Sequence, residues 1–338
     1  MEPDELTFEC LGIFSKSPEL FGHIDRTRSL LATVSSDKTC RIYNLNTKRL
    51  VGVLDDNTHT KTMRSVKFRP TGPIPSLAIG SFDSTISIWS KEDEDWVLMA
   101  IIEGHENEVK SVDWSHDGLY LASCSRDKSI WIWEADDSNE EFECISVIQE
   151  HEQDVKNVSW HPTKNILCSS SYDDTCRIFK QDDYDEDEWV CVANCQGANG
   201  TVWCSDWEKR DTFRFANCSD DSLLRIWKKT SSDQEGTANG KLPSTLKSEE
   251  EWALEATLPK IHTMPVYGIA WNTNGLLASC GSDGRIVVYS EEEGEWKVLA
   301  VQELGHGVFE INCVKWWNEN TLLTAGDDGA VNMWTLSI

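Results

Sequence analysis

His105, Ser123 and Asp127 are the residue types of a hydrolytic triad: a base, a nucleophile and an orienting carboxylate. Such a set could run acyl transfer if it occurred once, in a cleft. It recurs instead, since His306, Thr324 and Asp328 repeat the pattern at the same spacing, and Trp133 and Trp334 complete the two sets in the same way. Buried polar groups need partners, so a recurring set is read as groups that satisfy one another inside a repeated unit. The chain has no G-x-x-x-x-G-K-[ST] loop, H-E-x-x-H helix or G-x-S-x-G elbow. No catalytic residue is assigned, and the protein is read as a binding protein rather than an enzyme.

The cysteines are the other residues with chemistry to offer. Of twelve, Cys124, Cys168, Cys176, Cys218, Cys280 and Cys313 fall in the repeated strands, where a thiol acts as a small apolar group. No C-x-x-C occurs, and the closest pair, Cys191 and Cys195, has no His or second pair to complete a zinc or cluster spacing. No metal, no cofactor and no disulfide is expected.

The unit that must position these residues is set out by 104–133, GHENEVKSVDWSHDGLYLASCSRDKSIWIW. Alternating residues run to Trp114, turn at His116-Asp117-Gly118, alternate again to Cys124, turn at Arg126-Asp127-Lys128 and finish at Trp133. The period of two, with Gly and Asp in the turns, makes this a three-stranded antiparallel meander. Its ending recurs as SSDKTCRIY, SFDSTISIW, SRDKSIWIW, SYDDTCRIF, SDDSLLRIW, GSDGRIVVY and GDDGAVNMW, with last residues spaced by 46, 44, 46, 48, 62 and 45 positions.

That period and signature resemble the WD-repeat family. The resemblance implies an all-β, seven-bladed WD-repeat β-propeller, a single domain over 1–338 whose ring leaves no open sheet edge. It also assigns His105, Ser123, Asp127 and Trp133, and His306, Thr324, Asp328 and Trp334, to the family's structural hydrogen-bonded tetrad. Phe179 and Tyr289 replace the Trp, Ile79 and Asn217 the hydroxyl, and Gly197-Ala198 the Gly-His. Those blades are expected to depend more on packing.

Residues 6–14, LTFECLGIF, read as a strand without a repeat of its own and are expected to close the ring as the outer strand of the last blade. The first repeat is weakest, with Gly22-His23 but no clear inner strand. Segments 91–95, 134–143, 181–188 and 291–295 are acidic and read as solvated connections between blades. Polar residues 228–251 form an insertion expected to be mobile.

With 31 basic and 58 acidic residues the net charge is -27, which disfavours nucleic acid and anionic membranes as partners. No apolar run is long enough to cross a bilayer and the start lacks the pattern of a secretory signal, so a cytoplasmic and nuclear location is expected.

In WD repeats the residue before the turn Asp, and those flanking the first valine of the inner strand, project onto the narrower face. Here the first set is Ser36, Phe82, Arg126, Tyr172, Asp220, Ser282 and Asp327, and the second includes Arg64, Lys110, Lys156, Trp203, Tyr267 and Asn312. Arg126, Arg64, Lys110 and Lys156 beside Phe82, Tyr172, Trp203 and Tyr267 form a partner-binding candidate of the composition found in interface hot spots.

The strings GHENEVKSVDW, CSRDKSIWIWE, HEQDVKNVSWHP, SSSYDDTCRIF, GTVWCSDW and HGVFEINCVKWW are similar to the WD-repeat proteins of cytosolic iron-sulfur protein assembly. That resemblance implies an adaptor subunit of the targeting complex, helping deliver [4Fe-4S] clusters to cytosolic and nuclear apo-proteins. Implied partners are a small acidic assembly protein, a helical-repeat scaffold, an iron-only-hydrogenase-like carrier and apo client proteins. The alternative is a WD-repeat scaffold of another pathway, such as a ubiquitin-ligase substrate receptor or a histone-peptide reader.

Overall fold

Asp sets the turn in every repeat. At Asp37, Asp83, Asp127, Asp173, Asp221, Asp283 and Asp328 the carboxylate Oδ1 accepts the backbone N–H two residues on, and the residue between has positive φ. This Asx-type turn reverses the chain and is filled by Gly at Gly284 and Gly329, where the left-handed conformation carries no side-chain cost.

A computed structural model describes residues 7–13, 20–55, 57–182, 188–210, 212–230 and 250–337, and their regular elements are all strands. They form seven four-stranded antiparallel sheets. Blade 1 runs from inner strand Phe21–Asp25 to outer strand Arg49–Leu54, blade 2 from Met63–Phe68 to Asp95–Ile102, and blade 3 from Val109–Trp114 to Phe142–Ile148. Blade 4 runs from Val155–Trp160 to Trp189–Gln196, blade 5 from Val202–Trp207 to Trp252–Thr257, and blade 6 from Val266–Trp271 to Glu295–Gln302. Blade 7 holds Ile311–Trp316, Thr321–Gly326 and Val331–Ser337, and its outer strand is Thr7–Ile13, with Thr7 opposite Ser337. The chain therefore closes as the seven-bladed propeller expected, with the inner strands of blades 7 and 1 packed together.

The apolar core is divided among the seven blade interfaces. Leu31, Tyr43, Leu323 and Met333 pack between blades 1 and 7, and Ile166, Ile178, Trp207 and Phe215 between blades 4 and 5. Burial of this kind is worth about 25 cal/mol per Å² of apolar surface, and no blade can achieve it alone.

The inner edges of the blades are closed by side chains. Phe68 N–H donates to His23 Nδ1 at 3.1 Å, Trp160 N–H to Asp113 at 2.9 Å and Trp271 N–H to Asp206 at 2.7 Å. Val112 N–H donates to Ser65 Oγ and Ser205 N–H to Asn157 Oδ1, each at 3.1 Å. In each case a channel side chain of one blade accepts from the inner strand of the next. The indoles reinforce the joint in the same sense, Trp160, Trp207 and Trp316 donating to carbonyls of the preceding blade at 2.8–3.0 Å.

Three expectations are corrected or bounded. Gly22-His23 lies inside the inner strand of blade 1, paired with Thr33 and Ala32, and His23 is a channel residue. Acidic segments 91–95 and 291–295 are hairpin turns within blades 2 and 6, joining third to outer strand, and 134–143 makes the same join in blade 3. Tight reversal at Asp93-Glu94 and Glu293-Gly294 leaves those carboxylates at the rim, in water. Most of the 228–251 insertion and of 181–188 lies outside the described residues.

Deleting residues 1–13 removes the outer strand of blade 7 and exposes the Val331–Ser337 edge. We expect a lower thermal midpoint and concentration-dependent self-association, read by scanning calorimetry and light scattering. An unchanged midpoint with a monomeric product contradicts this closure.

Candidate docking face

The triad-like residues prove to be internal. Ser123 is fully buried, and its hydroxyl lies 2.8 Å from His105 Nε2 and accepts from Trp133 Nε1–H at 3.0 Å. His105 Nδ1 lies 2.8 Å from Asp127 Oδ2, so the network assigns the ring proton to Nδ1. His306, Thr324, Asp328 and Trp334 repeat this at 2.7–2.8 Å. Each set ties the loop before an inner strand to the turn after the second strand, and Ser123 offers no route to a substrate.

Two of the blades with departures from the motif have found polar substitutes in place of the missing groups, while Phe179 and Tyr289 in blades 4 and 6 contribute packing as expected. In blade 2, Ile79 is apolar, but Ser87 on the third strand supplies the hydroxyl, 2.8 Å from His59 Nε2 and accepting from Trp89 Nε1–H at 2.9 Å. In blade 5, where no His is present, Arg225 donates to Asp221 at 2.5 Å and to Ser219 at 3.2 Å, while Asn217 turns to Cys176. A one-dimensional motif cannot report that a partner has moved to the neighbouring strand.

The same turn positions the docking face. The residue before the turn Asp donates its N–H to a carbonyl just ahead of the inner strand: Phe82 to Thr62, Arg126 to Glu108, Tyr172 to Asp154, Asp220 to Thr201, Ser282 to Pro265 and Asp327 to Glu310. This holds the turn side chain beside the second residue of the inner strand, in all six blades.

Around the mouth the chemistry is sorted by blade. Blades 2–4 supply Arg64, Lys110 and Lys156, which line a cavity of about 100 Å³ with Trp203, Tyr267 and Asn312. Lys110 Nζ sits 4.1 Å from the Phe82 ring centroid, and Lys156 Nζ 5.1 Å from Tyr172 and 5.4 Å from Trp203. The Arg64 guanidinium covers Phe21 at 3.4 Å. Burial pushes the Lys110 ammonium below its usual value, with Lys156 and Arg64 adding to the shift and Glu108 opposing it. Trp203 meets Tyr267 edge-on at 5.1 Å, and its indole N–H donates to Asp220 at 2.5 Å.

Blades 6 and 7 are acidic and self-satisfied, with Ser282 donating to Glu310 and Asn312 to Asp327, each at 2.6 Å. Ser36 is half-buried on blade 1. Arg126 and Tyr172 stand out from the face: the Arg126 side chain is 58% exposed and meets Glu108 at 3.2 Å, and Tyr172 is 52% exposed. Sequence reasoning missed Glu108 and Phe21, which complete the cationic side. Glu108 precedes the inner strand by one residue, in a loop whose polarity alone is uninformative.

The fold and its repeated polar staples define a WD-repeat propeller, and a family model described as WD domain, G-beta repeat matches residues 49–90, 96–134, 142–180, 189–228, 254–290 and 297–335. Blade 1, which lies mostly outside those matches, is the one whose repeat was hardest to read. Similar proteins include one from Vanderwaltozyma polyspora, 50% identical over 344 residues, covering 92% of this chain and 94% of the relative. Others are from Candida dubliniensis, 50% identical over 362 residues with coverage of 92% and 94%, and Kluyveromyces lactis, 50% identical over 318 residues with coverage of 90% and 91%. Each is described as a probable cytosolic iron-sulfur protein assembly protein 1. The chain belongs to the WD-repeat family and, within it, to the family of these cytosolic iron-sulfur protein assembly proteins.

Two measurements test the staples. Ser87→Ala leaves buried His59 and Trp89 nitrogens without a partner and should cost about 1–3 kcal/mol, seen as a lower urea midpoint. For pH, burial alone would raise the carboxyls of Asp83, Asp127, Asp173 and Asp221, but hydrogen bonds from His, Ser, Thr or Arg hold them down, Asp221 at about 2. Their folded values lie below the unfolded value of about 3.9, so this stability is present above that pH and is lost as pH falls through the folded values. Thermal midpoints should fall progressively from about pH 4 toward pH 2. A midpoint insensitive to that range contradicts the assignment.

Proposed function

We propose that this protein is a non-catalytic adaptor of the targeting complex in cytosolic iron-sulfur protein assembly. It docks several proteins on one rigid ring and helps pass [4Fe-4S] clusters to apo-proteins of cytosol and nucleus. Relatives named for that process cover nine-tenths of the chain at about half identity, which supports the pathway. The partners expected are the small acidic assembly protein, the helical-repeat scaffold, the iron-only-hydrogenase-like carrier and the client apo-proteins. Every cysteine among the described side chains is a free thiol, in keeping with a reducing compartment.

The observation that carries the docking role is the gathering of Arg64, Lys110, Arg126 and Lys156 beside exposed Tyr172 and the partly buried Phe82, Trp203 and Tyr267 on a chain of net charge -27. The ammonium groups of Lys110 and Lys156 are held over rings, so less side-chain freedom is lost when a partner arrives. An acidic or carboxylate-bearing segment entering the mouth would meet Arg126 first and form charge-assisted hydrogen bonds there.

Arg126→Glu tests this. With the fold verified by circular dichroism, recovery of iron-sulfur assembly factors from cells should drop about tenfold or more, a loss of at least ~1.4 kcal/mol. Wild-type recovery by the mutant would sink the assignment of the face. Co-purification of ligase or chromatin subunits in place of assembly factors would sink the pathway while leaving the propeller intact.

A further inference from the structure

The opposite mouth of the channel holds a second group of charges that the adaptor role does not use. Register places His23, Lys67, Asp113, Ser159, Asp206, Ala270 and Lys315 at one level of the seven inner strands, each one position before the residue that ends the buried apolar stripe. Arg26 and Lys209 reach the same space from the turns of blades 1 and 5, and the cavity they share with this ring is about 300 Å³. That is the lower end of the roughly 300–1,000 Å³ typical of small-molecule sites.

The charges there do not balance. Lys67 is paired with Asp113 at 3.1 Å and Lys209 with Asp206 at 2.6 Å. Both carboxylates are further engaged by the N–H groups of Trp160 and Trp271. Asp25, which also borders the cavity, is held by Arg28 at 2.8 Å. Lys315 and Arg26 make no direct ion pair among the described residues, although the fields of Asp206 and Asp113 reach Lys315 and that of Asp206 reaches Arg26. Lys315 Nζ makes no hydrogen bond or ion pair there, and the Arg26 guanidinium uses only Nε, donating to the Trp316 carbonyl at 3.0 Å. Leaving aside Arg69, which borders the cavity but donates to Gly118, Asp136 and Asn139, four cations face two carboxylates, an excess of two positive charges in an acidic protein.

His23 adds a directional donor. Its Nδ1 accepts Phe68 N–H, so the ring is neutral with its proton on Nε2, and that N–H has no partner among the described residues. Burial, followed by the fields of Lys67, Lys315, Arg26 and Lys209, pushes its pKa well below the usual value, which agrees with a neutral ring in a positive enclosure.

We propose that this mouth binds a small, doubly charged oxyanion of the phosphate class, held by Lys315 and Arg26, with His23 Nε2–H as a neutral donor and Lys67 and Lys209 completing the field. A dianion matches the charge excess, and its several acceptor oxygens match donors that the protein leaves open. The space is a cavity at a channel mouth, so it suits a free small anion rather than a folded partner. The cavity at the docking mouth shares Lys67, Asp206 and Lys315 with this one, so the two meet along the channel, while Arg26, His23 and Lys209 line only this end.

The test is titration of the full chain with inorganic phosphate at about pH 8, where it is a dianion, followed by calorimetry and by phosphorus NMR line broadening. Saturable binding of one phosphate per chain is expected, together with a rise in thermal midpoint as ligand is added. Lys315→Gln and Arg26→Gln should each weaken binding at least tenfold, whereas Lys297→Gln, on the exposed rim of blade 6, should leave it within twofold. Absence of saturable binding overturns the proposal, as does wild-type affinity in both channel variants. Equal weakening by Lys297→Gln also overturns it, because the binding would then be diffuse attraction. If one channel variant fails to fold, the other decides the outcome.

Discussion

The ring depends on what happens at the inner edge of each blade. An inner strand presents N–H groups toward the channel, and no further strand is available to receive them. Side chains of the preceding blade do so: His23 for Phe68, Ser65 for Val112, Asp113 for Trp160, Asn157 for Ser205 and Asp206 for Trp271. An unpaired buried N–H costs about 1–3 kcal/mol, so the channel level must be polar wherever it performs this role. The residues can differ, as His, Ser, Asp and Asn show, because only an acceptor at the right height is required. Five of the seven joints, from blades 1–2 to blades 5–6, are thus held at two radii, by acceptors at the channel and by aliphatic and indole packing further out.

Much of this was legible because it repeats. The Asp turn is local, its acceptor and donor separated by two residues, and so the seven endings located seven blades. The strand at residues 7–13 was legible for the opposite reason, since it had no repeat of its own and blade 7 lacked an outer strand. Blade 1 was obscure because its inner strand, FGHID, carries Gly22 where most blades carry valine and Ile24 where the others carry an aromatic, and His23 imitated a motif it does not serve.

What escaped the sequence was compensation between strands. Ser87 replaces the hydroxyl missing at Ile79, and Arg225 replaces an absent His, from positions eight residues apart from their expected counterparts or on another element altogether. Both rescue networks are set by proximity across a sheet, which no spacing rule encodes. The residues read as a partner-binding candidate lie together at one mouth because of the turn, but their pairings with one another were not legible. That Lys110 rests on Phe82, and that Asn312 is consumed by Asp327, follows from which blade neighbours which. The sorting of cations to blades 2–4 and acids to blades 6 and 7 is therefore a property of the closed ring.

That sorting decides what kind of partner the face can favour. Among the described residues, acidic side chains such as Asp93, Glu94 and Glu293 lie in exposed turns, and their field decays over about 8 Å at physiological ionic strength. The cations at the mouths are partly enclosed, and charge interactions in such a site are weakened less by salt. A protein that is acidic over its whole surface is repelled at long range and recovers only the few contacts its nearest residues make. A short segment or chain end, with its charge concentrated in a few atoms, escapes most of the repulsion and meets Arg126, Lys110 and Lys156 together. The electrostatic design thus discriminates by the distribution of negative charge more than by its amount.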